Sequence, residues 1–146
     1  MTRPRIHRRI AIALWIAGAM VASAAGNEDY KVIVHPGNPV TAIDRQFLRE
    51  AYLRKTEEWA GGAAVRPIDL TSRFAVRERF DHEVLRKTPS QLRSYWNQQI
   101  FSGKGVPPPE VETTAGAVAY VLANPGAVGY LPADADTGDA KVVRVK

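Results

Sequence analysis

Along this chain, apolar and β-branched runs alternate with stretches whose apolar residues recur at helical spacing, and that alternation restricts the fold more than any other feature. "YKVIVHP", Tyr30 to Pro36, reads as a buried strand stopped by the turn residues that follow. In "IDRQFLREAYL" the apolar residues Ile43, Phe47, Leu48, Ala51 and Tyr52 fall on one helical face, with Asp44 or Thr41 available as N-cap. "AVRPIDL" reads as a short second strand whose Pro67 suits an edge, because proline cannot donate to a ladder. A helix is expected from Ser72 to Leu85 with Val76, Phe80 and Val84 on its inner face, then another from Ser90 to about Ile100 with Ser90 as cap. "TTAGAVAYVLANPG" is a small-residue helix ended by Asn124-Pro125-Gly126, and "AVGYL" and "KVVRV" are two further strands. The pattern predicts an α/β domain of about four strands with helices packed on the sheet, joined by connections long enough for parallel crossovers.

The N-terminus has a different logic. "MTRPRIHRR" is cationic, "IAIALWIAGAMVA" is apolar, and "ASAAG" supplies small residues at a cleavage spacing. Residues 1–25 therefore read as a secretory signal peptide cut after Ala24 or Ala25, and residues 26–146 as one mature domain. The apolar run is short for a membrane span and no second one follows, so a soluble exported protein without a span after cleavage is expected. No cysteine is present to carry a lipid, which predicts a free periplasmic or secreted protein and not a lipoprotein.

Export also changes the charge. Of the 20 Lys and Arg, Arg3, Arg5, Arg8 and Arg9 would leave, so 16 cations face the 15 carboxylates. A nucleic-acid role, which the whole-chain excess of +5 suggests, loses its basis. Without cysteine there is no disulfide scaffold or thiolate metal site. His35 and His82 are not at ligand spacing, "SGKG" lacks the residues of a phosphate loop, and no Gly-x-Ser-x-Gly elbow occurs. The acidic loop of Asp134, Asp136 and Asp139 reads as a turn, and Trp59, Tyr95 and Trp96 as packing residues. No catalytic constellation emerges, so neither an enzyme nor a cofactor is expected.

One stretch can hold a ligand: "DLTSRFAVRERF", Asp69 to Phe80. At a helix start, Thr71 and Ser72 offer hydroxyl donors, while Arg73 and Arg77, four residues apart, share a side and repel each other by a few tenths of a kcal/mol at about 100° per residue. A negative group should compensate them. Either an anion does so, or Asp69 and Asp81 pair with the arginines and Ser72 is a plain cap.

Several segments carry a resemblance. "VIVHPGNPVTAIDRQFLREAYLRKTEEWAGGAAVRPID" and "ANPGAVGYL" resemble the type II periplasmic solute-binding proteins of the phosphate-binding class, the second through that family's Asn-Pro-Gly-Ala-Ile-Gly-Tyr segment. The likeness is greatest to short, single-lobe relatives and runs from about Val32 to Val145. It implies one lobe of that fold, and weak binding of phosphate or a similar oxyanion at Thr71, Ser72, Arg73 and Arg77, with an envelope transporter or sensor protein as possible partner. Two departures stand out. "AYLRK" replaces Phe-Leu-Gly-Lys, and Thr71-Ser72-Arg73 lacks the glycine of the family's phosphate-contacting Ser-Gly-Thr. The resemblance also leaves room for a lobe that has lost its solute and serves as a protein-interaction or sensory domain.

Overall fold

Strand β1, Tyr30–Val34, lies at the centre of a five-stranded sheet in the computed structural model, which describes residues 30–146. The signal-like segment of residues 1–25 falls outside the described residues. The sheet has the order β2-β7-β1-β6-β3, where β2 is Ala42–Ile43, β3 Arg66–Pro67, β6 Ala127–Pro132 and β7 Lys141–Val145. Its three middle strands are antiparallel, with Val32 opposite Tyr130 in β6 and Val143 in β7. Only the edge pairs β2 with β7 and β3 with β6 are parallel, so the expected parallel crossovers are confined to the sheet's margins. The reason lies in β1: it enters between β6 and β7, which adjoin in sequence, and runs against both.

Both faces of the sheet are covered. Helix α4, Thr114–Ala123, lies over the face of Ile33 and Gly129, where Val121 approaches. The other face carries an aromatic cluster in which Phe80 stacks on Tyr130 at 3.9 Å and 4°, while Tyr30 and Tyr52 meet Phe80 at 5.5 and 4.8 Å. Partners across a ladder share a face and neighbours along a strand alternate, so β6 and all of β1 except the half-buried Lys31 are apolar because each side meets helices. Helix α1, Arg45–Tyr52, begins at Asp44, whose carboxylate accepts from the Gln46 and Phe47 amides.

The second run, "AVRPIDL", does not form one strand. Arg66–Pro67 joins the main sheet at its edge, as Pro67 requires, and the chain then changes sheets: the Ile68 amide donates to Val128 and the Asp69 amide to Pro109. Strand β4, Asp69–Leu70, pairs in parallel with β5, Glu110–Val111, as a separate ribbon. The following helix starts later than expected. Helix α2 spans Ala75–Phe80 with Phe74 at its N-cap and no side-chain cap bond, so Ser72 is not its cap. A π-helical turn, Asp81–Leu85, continues it to Arg86. Helix α3, Pro89–Phe101, is capped by Thr88, not Ser90, with Thr88 and Gln91 forming a reciprocal capping box. Trp59 is buried, tilted against Phe47, and its indole donates to the Gly126 carbonyl at 3.0 Å.

Candidate functional site

Four structural elements meet at one guanidinium. β4 supplies Asp69, α2 supplies Arg77, the π-helical turn supplies Asp81, and β5 supplies Glu110 across the ribbon. Arg77 lies 3.2 Å from Asp69, 3.6 Å from Asp81 and 2.5 Å from Glu110, and it also donates to the Leu70 carbonyl. The internal pairing open to the sequence therefore forms, with a third carboxylate that no local spacing revealed. Arg77 holds its proton more tightly than a free guanidinium: burial pulls the other way, but Asp69 and Glu110 outweigh it.

The carboxylates respond oppositely. Burial, and then the neighbouring Asp69 charge, push Asp81 up to about 7, although Arg77 pulls it down. Asp81 Oδ1 is buried and has no hydrogen-bond partner, so nothing on that oxygen favours the ionised form. Asp69 is also raised, first by burial, even though Tyr130 and the Leu70 amide donate to its Oδ1 at 2.5 and 2.9 Å. Tyr130 is held protonated by its burial and by the Asp69 charge.

The other candidate residues are placed differently. Thr71, Ser72 and Arg73 form a turn ahead of α2, closed by the Phe74 amide donating to the Thr71 carbonyl. The Thr71 hydroxyl is buried without a partner. Ser72 is exposed, and Arg73, whose side chain is 70% exposed, pairs with Glu112 at 3.4 Å. Arg73 and Arg77 do not share a helical face, since Arg73 precedes the helix.

Ser72 and Arg77 line one cleft of about 440 Å³ between the start of α2, helix α3 and the 107–110 segment. Leu92, Trp96, Ile100 and Pro107 form its apolar wall, while its charges are Arg77 and Arg93 against Glu78, Asp81 and Glu110. Sequence reasoning missed Glu110 and Tyr130 as members of this network. Glu110 follows a proline run and carries no signal of its own, whereas Tyr130 sits in the "AVGYL" segment singled out for its family likeness. Among the described residues no group of His, Asp and Glu could hold a metal ion, and no helix is long and apolar enough to cross a membrane.

No family model matches the chain, and no curated protein matches it in sequence. Solved structures do match. A Clostridium perfringens substrate-binding protein assigned to a phosphate ABC transporter, with phosphate bound, aligns at a TM-score of 0.62 and 18% identity over 80% of this chain and 44% of that one. An ABC-type phosphate transport receptor from Vibrio cholerae gives 0.64 and 16%, over 80% and 46%. PstS from Borrelia burgdorferi gives 0.61 and 12%, over 80% and 47%. The chain therefore has the fold of one lobe of a type II periplasmic binding protein, and spans less than half the length of the proteins it matches.

Proposed function

We propose that residues 26–146 form an exported, periplasmic solute-binding-protein-like module that takes phosphate or a related oxyanion weakly, in connection with phosphate uptake or sensing. The site is the Thr71, Ser72, Arg73 turn together with Arg77. One observation carries the reading: Ser72 and Arg77 open onto the same cleft in a fold whose likenesses include a protein with phosphate bound. Weak binding follows from charge, because Arg77 already faces three carboxylates and an incoming anion must compete with them.

The test is calorimetry with phosphate, sulfate and acetate on the native chain and on Ser72→Ala/Arg73→Ala, two exposed positions that leave the core intact. Heat with phosphate that weakens in the variant supports the reading. No heat at millimolar phosphate, or equal affinity in both proteins, defeats it.

A second reading, a protein-interaction or sensory domain serving an envelope transporter or sensor, is favoured by one feature. Ile100 and Phe101 at the end of α3 and Val106 in the loop after it are 53, 95 and 60% exposed, and Ile100 lines the cleft. Phe101→Ser should then weaken capture of a purified transporter or sensor component without changing the melting temperature.

A further inference from the structure

The C-terminal ends of two helices meet at a second cleft, of about 320 Å³, whose lining includes Arg49, Lys55, Arg86 and Lys87 but a single carboxylate, Glu50. Three facts separate it from an ordinary solvated surface. First, none of these four cations forms an ion pair among the described residues, whereas Arg73, Arg77 and Arg79 each pair with acids. Glu50 instead accepts from the Gln46 side-chain amide at 2.9 Å.

Second, the cations are not needed to cap the helices. The α1 carbonyls are taken by backbone donors: Arg49 by the Leu53 amide, Glu50 by Lys55 and Thr56, Ala51 by Arg54. The Leu53 carbonyl accepts from the Tyr95 hydroxyl at 2.6 Å, and the Lys87 amide closes the π-helical turn onto Asp81. Each helix end adds about half a negative charge, so with Glu50 roughly two of the four positive charges are offset and about two remain.

Third, Arg86 stands in the left-handed region, at φ 55° and ψ 43°, a position where glycine is free of the β-carbon clash. A strained cation sits where an unstrained neutral residue would end the helix as well. Strained positions of this kind cluster at functional sites, although Arg54, outside the cleft, also stands at φ 57°.

We infer that this cleft binds a multiply charged phosphate-class anion, at a place separate from the Ser72 and Arg77 cleft. Such an anion can come from solution as an oligophosphate or from a lipid headgroup, and both offer the oxygens that Arg49 and Arg86 can grip in pairs.

Titration calorimetry of the full chain with tripolyphosphate at low salt addresses the soluble source, and sedimentation with vesicles of phosphatidylcholine and cardiolipin, whose headgroup carries two phosphates, the headgroup. Saturable binding to either, weakening as salt is added, is expected. Lys55→Gln/Arg86→Gln should weaken it about tenfold. Arg86→Gly should weaken it too while holding or raising the melting temperature, which a purely structural arginine would not do. Ser72→Ala/Arg73→Ala should leave it unchanged, so failure of the first cleft and of this one are told apart. Absence of binding to both probes, or unaltered binding in Lys55→Gln/Arg86→Gln, overturns the assignment.

Discussion

Tyr130 donates its phenolic hydrogen to Asp69 Oδ1 at 2.5 Å, which ties the stacked core pair of Tyr130 and Phe80 to the carboxylate that faces Arg77. The aromatic cluster and the ion-pair network are therefore one mechanical unit, and changes on either side should be felt on the other.

Tyr130→Phe keeps the ring stack and removes the donor. Asp69 Oδ1 still accepts from the Leu70 amide, so the loss should be about 1 kcal/mol, the lower end for a buried hydrogen bond. Urea unfolding reads it, and an unchanged midpoint would show that the bond carries no net stability.

Arg77→Met leaves Asp69 and Asp81 facing each other without their cation. A loss of about 3 kcal/mol or more is expected at alkaline pH, and a smaller one at acidic pH, where the carboxylates take up protons. Parallel denaturation curves at the two pH values check both the size and the trend.

The pH dependence has a definite sign. Asp81 titrates at about 7 in the fold, above the ordinary carboxylate value of about 4 in the unfolded chain, so the native state holds the extra proton between them. The stability from that proton is full below about 4 and is lost as pH rises through about 7; Asp69, also raised, adds in the same direction. The melting temperature should fall between pH of about 5 and about 8. Asp81→Asn should flatten that slope, and a wild-type slope in this variant would remove Asp81 from the explanation.

Gly126→Ala should be among the costliest small substitutions. A β-carbon there would stand 1.9 Å from the Ala64 carbonyl oxygen, and the backbone around it is held by the Arg66 amide and the Trp59 indole, both donating to the Gly126 carbonyl. About 3 kcal/mol is expected, the upper end for overpacking, because backbone must move instead of a flexible side chain. Thermal unfolding measures it, with Gly61→Ala, which meets no atom within 4 Å, as the control.

Much of the fold was legible where one local signal decides. The helix α1 stripe and its Asp44 cap, the edge placement of Pro67, the end of α4 before Pro125, and strands β6 and β7 all follow from periodicity, capping and turn chemistry within a dozen residues. Boundaries failed where tertiary pairing overrode a good local candidate. Ser72 could cap a helix, but residues 71–74 turn back on themselves after β4 has paired with β5, so the helix starts at Ala75.

The candidate site divides the same way. That Arg77 needs a negative partner, and that Asp69 and Asp81 stand close enough to be one, follows from spacing along the chain. That Glu110 and Tyr130 join them depends on the β4–β5 ribbon and on the β6 register, which are set by the packing of distant segments. Local spacing fixes which residues can share a face, because helix and strand geometry are the same in every chain. Which faces then meet depends on burying the whole apolar surface at once, and here that decided how much of Arg77's charge an incoming anion can still reach.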